Sequence, residues 1–228
     1  MIAQTVFSRR LYRAAALALA GLIAAGCTAT ASIPADFPTP LVDPLPIRVG
    51  VRYPEHFLTY QHREQIPSDR EWVVELGDAN AALFDSVFGS MFDATEPVNE
   101  EAERIAATAG LDAIIEPELE SYEFSVPLET GDPFYSVWMT YRMRLFSAEG
   151  RLIAEWPVRA YGKSRYKILD SDQSLAQATI MAMRDAGAEL ALQFASQPRI
   201  REWLREEGKV LPDDTGDQDV QIEEIIVP

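Results

Sequence analysis

The sequence predicts an α+β domain, with a mixed, largely antiparallel sheet built around one long hairpin and helices packed on one of its faces. Two stretches, "IRVGVRY" and "FYSVWMTYRMRLFS", alternate apolar and polar residues with the period of a strand. Two others carry apolar residues at helical spacing. The strand meander follows the first helices instead of alternating with them, which points away from a doubly wound sheet.

In chain order, "IRVGVRY" places Ile47, Val49, Val51 and Tyr53 on one strand face, and "EWVVEL" offers a second short strand. Asp78 is a candidate N-cap for a helix whose Leu83, Phe84, Val87, Phe88, Met91 and Phe92 recur at helical spacing. A short strand ends near Val98, Asn99 caps the helix "EEAERIAATA", and Gly110 stops it. "LDAIIEPELESYEFSV" begins as a buried strand, and Pro117 marks an edge or a bulge in it. In "FYSVWMTYRMRLFS", Tyr135, Val137, Met139, Tyr141, Met143 and Leu145 share one face. A turn at Ala148–Arg151 returns the chain as "LIAEWPVRAYGKS", giving a hairpin longer than the usual strand of about five or six residues. A long helix follows, from Asp172 to Ala195, with Ala176, Ile180, Met183, Gly187, Leu190 and Phe194 as its stripe. Pro198 interrupts it before the short helix "RIREWLREE".

The ends read differently. Residues 1–26 carry Arg9, Arg10 and Arg13, no acid, and the unbroken apolar run Ala14 to Ala25, an arrangement expected of a secretory signal peptide. Twelve residues fall short of the roughly 20 that a membrane-spanning helix needs. Residues 27–46, with Pro34, Pro38, Pro40, Pro44 and Pro46, read as a tether with a reach of up to about 60 Å if extended. Residues 47–206 form the expected domain, and residues 207–228 an acidic, disordered tail whose "IEEIIVP" is a candidate for strand addition. Without its first 26 residues the chain is three charges more negative than the formal −16, which argues against nucleic acid as a partner.

Ala24-Ala25-Gly26-Cys27 resembles a bacterial lipobox, with Ala24 in place of the usual leucine. The resemblance implies cleavage before Cys27 and a diacylglycerol on its sulfur, so that the chain sits on a membrane without crossing it. Thr28, where inner-membrane lipoproteins of enteric type often carry aspartate, implies the outer membrane. Cys27 is the single cysteine, so no thiol remains for a disulfide.

His56 and His62 lie six apart, unlike the three or four of a zinc-binding helix, and no metal or cofactor is expected. Glu116, Glu118 and Glu120 project from one strand face with steps of about 7 Å, a separation that can suit a glycosidase acid and base, although adjacent same-face acids on a strand usually mark a solvated face. Arg142, Arg144 and Arg159, with Lys163, Arg165 and Lys167 beyond, form the most basic region of an acidic chain. Trp138, Phe146 and Tyr161 stand beside them. Trp138, Arg142, Arg144, Arg159 and Tyr161 are therefore the candidate partner-binding residues, against the plainer reading of cross-strand charge pairing.

The lipobox, the proline-rich segment, "IRVGVRY", "AALFDSVFGSMF", "AGLDAIIEPELESYEF", the hairpin and "AMRDAGAELALQF" are together similar to uncharacterised proteobacterial periplasmic lipoproteins. Their organisation is similar to the TolB amino-terminal domain, the curli-secretion lipoprotein and the penicillin-binding-protein activators. That resemblance implies a non-enzymatic outer-membrane lipoprotein whose periplasmic domain binds another envelope component. Two alternatives stand beside it: an envelope hydrolase using the strand carboxylates, and a carrier of a small hydrophobic ligand behind Phe84, Phe88 and Phe92.

Overall fold

A computed structural model describes residues 28–67, 69–98, 110–167 and 171–209. Cys27, the helix expected after Asn99 and the tail beyond Lys209 lie outside these residues. In chain order the elements are β1 (Thr28–Ser32), β2 (Leu45–Val51), α1 (Glu55–Leu58), β3 (Gln61–Gln65), β4 (Glu71–Glu75), α2 (Gly77–Met91) and β5 (Phe92–Pro97). They continue with β6 (Ala113–Ser125), α3 (Pro127–Thr130), β7 (Phe134–Ser147), β8 (Leu152–Arg165), α4 (Ser171–Gln193), a 3₁₀ turn (Phe194–Ser196) and α5 (Pro198–Glu206).

The strand period of β7 sends Tyr135, Val137, Met139, Tyr141, Met143 and Leu145 inward, and all six are buried. β7 pairs antiparallel with β6 and β8, while β2 runs parallel to both β6 and β5. The five-stranded sheet has the order β5-β2-β6-β7-β8. The architecture is α+β, with the mixed sheet and long hairpin expected. Pro117 falls just past Ile115, where the ladder to β2 ends, so its missing N–H faces a flank that no strand occupies. A bulge follows between Leu119 and Ser121. Pro157 sits on β8, an edge strand, for the same reason.

The inner face of this sheet carries α2 and α4. Phe84 and Phe88 of α2 and Phe92, which the sequence placed on the same helix but which opens β5, stack their rings in the core, with Phe84 edge-on to Tyr141 at 5.0 Å. The Tyr141 hydroxyl donates to Asn80 Oδ1 at 2.7 Å, satisfying two fully buried polar groups at once. α4 presents a narrower face than its large apolar residues suggest. Leu175, Ala178, Ala182, Met183, Ala186 and Leu190 are fully buried, whereas Ala176 and Ile180 are only half-buried. The small residues let α4 lie almost on the backbone of β8. A Cβ on Gly162 would stand 2.0 Å from the Ala178 carbonyl oxygen and 2.3 Å from the Ala182 nitrogen.

Two expectations are corrected. The chain builds a second sheet, of order β1-β4-β3, in which β1 runs parallel and β3 antiparallel to β4. It packs on the far half of β6 and β7 through Trp72, whose ring meets Phe124 at 6.1 Å and Tyr135 at 5.9 Å. His62 of β3 lies against the ring of Tyr122. The expected tether is likewise mostly part of the fold. Thr28–Ser32 pairs residue for residue with Glu71–Glu75, and Ala29, Ala31, Ile33 and Phe37 are buried. The prolines of this stretch suggest an extended spacer, but its apolar residues find a surface to cover, and burying them outweighs chain freedom.

Candidate partner-binding face

The outer face of β6, β7 and β8 gathers the charged and aromatic residues singled out above. Glu116, Glu118, Arg142, Arg144, Trp138, Arg159 and Tyr161 all alternate away from the buried face. The register sets Arg144 opposite Glu116 and Arg142 opposite Glu118. Within this grid the carboxylates are committed. Glu116, almost fully buried, takes N–H groups from both Arg52 and Arg144. Glu118 accepts from Arg144 at 3.2 Å and lies 3.9 Å from His56, while Glu120, at the bulge, holds Arg142. Arg52 also lies over the ring of Phe146, 5.0 Å from its centroid.

None of the three glutamates lines the clefts near the chain ends and helix termini. The carboxylates of the hydrolase alternative are thus the middle of a charge ladder. Arg52 is the member that sequence reasoning missed. Its signal is its position one residue past Val51 in "IRVGVRY", at the end of the strand that borders Glu116.

Arg142 and Arg144 are held by that ladder, so the plainer reading of cross-strand pairing holds for these two. Trp138, Tyr161 and Arg159 are different. Trp138 and Tyr161 are register partners across β7 and β8, with ring centroids 5.5 Å apart, and expose 46% and 43% of their surface. The Tyr161 hydroxyl lies 3.3 Å from Ser136 Oγ. Its backbone N–H donates to Asp185 of α4 at 2.9 Å, which caps the outer edge of β8 at this point. Arg159, opposite Thr140, is exposed and forms no ion pair among the described residues. Two aromatic rings and a guanidinium that forms no ion pair among the described residues thus stand together on this outer face.

The ligand-carrier residues are not brought to a cavity. Phe84, Phe88 and Phe92 are at most 2% exposed. A cleft of about 300 Å³ opens nearby instead, lined by Leu45, Met91, Phe194 and Arg201 among others. Among the described residues no group of three or more histidine, cysteine or acidic side chains is placed to hold a metal ion. No described helix is long and apolar enough to cross a membrane.

No protein family and no curated protein matches the chain. Among solved structures it is similar to a DUF330 protein from Xanthomonas campestris, at 14% identity and a TM-score of 0.46, covering 72% of this chain and 91% of that one. A hypothetical protein from Chlamydia trachomatis aligns at 12% identity and a TM-score of 0.38, over 64% and 95% of the two chains. The lipoprotein GNA1162 from Neisseria meningitidis aligns at 14% identity and 0.31, over 59% and 96%. Each likeness is a loose one in the path of the backbone.

Proposed function

We propose that this chain is a non-enzymatic lipoprotein of the outer membrane, anchored through Cys27, whose domain binds another protein of the cell envelope by the outer face of its long hairpin. The observation that carries the binding role is the contrast within that face. Every glutamate that chemistry would need is occupied by an arginine, while Trp138, Tyr161 and Arg159 are left to solvent. Aromatic and arginine side chains supply most of the energy in protein interfaces, and an open sheet face gives them a rigid support. The anchor rests on the lipobox resemblance at Ala24–Cys27.

Photocrosslinking tests it. A benzophenone amino acid at Tyr161, in the full-length protein in its native envelope, is expected to capture one defined protein. That capture is expected to disappear in Trp138→Ala and in Arg159→Glu. Equal capture from Tyr161 and from Glu149 at the hairpin turn would refute the assignment of the face. Loss of phenotype in well-folded Glu118→Gln or Glu120→Gln, with crosslinking intact, would instead favour the hydrolase.

A further inference from the structure

Resting on the Cys27 anchor just proposed, we infer that one pole of the domain lies directly on the phospholipid surface, through Leu128, Tyr166 and the cationic end of β8. Consecutive Cα atoms are about 3.8 Å apart, and the residue after Cys27 is already the first of β1. A diacylglycerol on that cysteine would therefore bring the start of β1 to the headgroups.

Topology decides what stands beside it. Thr28 pairs with Glu71 and its hydroxyl donates to that carboxylate at 3.4 Å. Next to Glu71, Arg70 lies over the ring of Trp72 and between Asp69 and Asp172. Trp72 touches Tyr135, and Tyr135 touches Tyr166. The same pole thus collects the starts of β1, β4, β7 and α4 and the ends of β6 and β8, with α3 among them.

Its surface departs from the rest of the molecule in two respects. Leu128 on α3 is 62% exposed and Tyr166 is 38% exposed, beside a cleft of about 350 Å³ that both help to line. Lys163, Arg165 and Lys167 are exposed and form no ion pair among the described residues, and Lys163 lies 4.0 Å from the centroid of Phe134. Acidic groups are present too: Glu71, Glu129 and Asp132, with Asp69 and Asp172 held by Arg70. The unpaired charges on the β8 side are nonetheless all positive over three alternate residues. Apolar and tyrosyl tips among lysines and arginines match the boundary between phosphates and acyl chains. The charge of the chain without residues 1–26, three units more negative than the formal −16, would keep the remainder of the protein off an anionic surface, which orients this pole toward it.

The test uses the lipidated full-length protein in vesicles of phosphatidylethanolamine and phosphatidylglycerol that contain a doxyl-labelled lipid. With the native cysteine acylated, Leu128→Cys, Lys167→Cys and Glu149→Cys each provide one thiol for a fluorophore. Strong quenching is expected at positions 128 and 167 and none at 149, which lies about 40 Å away along the hairpin. Reversing Lys163, Arg165 and Lys167 to glutamate is expected to reduce quenching at position 128 by at least about twofold. Equal quenching at all three positions, or none at 128 and 167 in protein whose intact mass shows the acyl groups, would overturn the inference and leave the anchor standing. An intact mass with unmodified Cys27 would overturn both.

Discussion

Gly162→Ala adds one methyl group where α4 crosses β8, and the geometry fixes what that methyl meets. Its nearest neighbours would be the Ala178 carbonyl oxygen at 2.0 Å, the Ala182 nitrogen at 2.3 Å and the Ala182 Cα at 3.0 Å, all backbone atoms of one helix. No rotamer change relieves such a contact, so α4 has to move away by about 1.4 Å to reach an ordinary separation. A gap of that size forfeits at least about half of each dispersion contact it opens. The helix buries Leu175, Ala178, Thr179, Ala182, Met183 and Ala186 completely, and its Thr179 hydroxyl meets that of Tyr122 at 2.8 Å. Overpacking costs about 1–3 kcal/mol where side chains can give, and the upper end or more applies where only backbone can. The expected loss is about 3 kcal/mol, or a fall in Tm of roughly 6–12 °C for a domain of this size. Gly89→Ala provides the opposite sign with the same chemistry. Nothing lies within 4 Å of its added Cβ, it is exposed in the interior of α2, and alanine is expected to stabilise the helix by about 0.4–1 kcal/mol. Urea and thermal unfolding of the two variants beside wild type measure both. A Gly162→Ala protein within about 0.5 kcal/mol of wild type would refute the close crossing of α4 and β8.

Four other expectations follow from particular contacts. Tyr141→Phe leaves Asn80, whose Nδ2 already has no partner, without a donor for Oδ1, and is expected to lower the urea-derived stability by about 1–3 kcal/mol. Glu116→Gln removes the charge that two arginines share at a nearly buried site and is expected to cost about 2–3 kcal/mol, whereas Glu120→Gln, at the exposed end of the ladder, should unfold like wild type. In alkali, burial raises the phenols of Tyr53, Tyr122 and Tyr141 well above their ordinary value and that of Tyr135 to about 12. The unfolded chain loses these protons first, near pH 10, so stability is expected to hold up to about that pH and to fall steadily from there through 12. Absorbance of tyrosinate beside near-ultraviolet circular dichroism checks this, since full ionisation with the tertiary signal intact would contradict it. Trp138→Ala is expected to abolish crosslinking from position 161 while shifting the unfolding midpoint little, because nearly half of that side chain is already in water.

The elements that could be read in the sequence were those whose apolar residues are large. The alternation of β7, the phenylalanine stripe of α2 and the apolar start of β6 each announce a buried face, and each is where it was expected. β1 was missed because "TATAS" buries only alanines, which carry little hydrophobic signal, although the strict alternation of Thr and Ala was visible. β3 was missed because "QHREQ" is a polar edge strand with no fully buried residue. On the candidate face, the register that pairs Arg142 and Arg144 with the glutamates depends on how β6 and β7 align across a bulge. Spacing along one strand contains no information about that alignment. Trp138, Tyr161 and Arg159 were legible as outward-facing residues, but their separation from the charge ladder was not.

The five register positions by which β1 joins β4 also govern how the molecule would carry load. If Cys27 carries an acyl group and the hairpin face holds a partner, as proposed, a pull between the two would enter at Thr28. Directed away from the membrane along the strand, it stresses the whole β1–β4 ladder together, and every position resists before any one yields. Directed sideways, it opens the ladder from Thr28 and Glu71 inward, one position after another. The joint is therefore stiff to tension and weak to peeling, and the direction of a force would be transmitted into the sheet. A loose tether would have absorbed it.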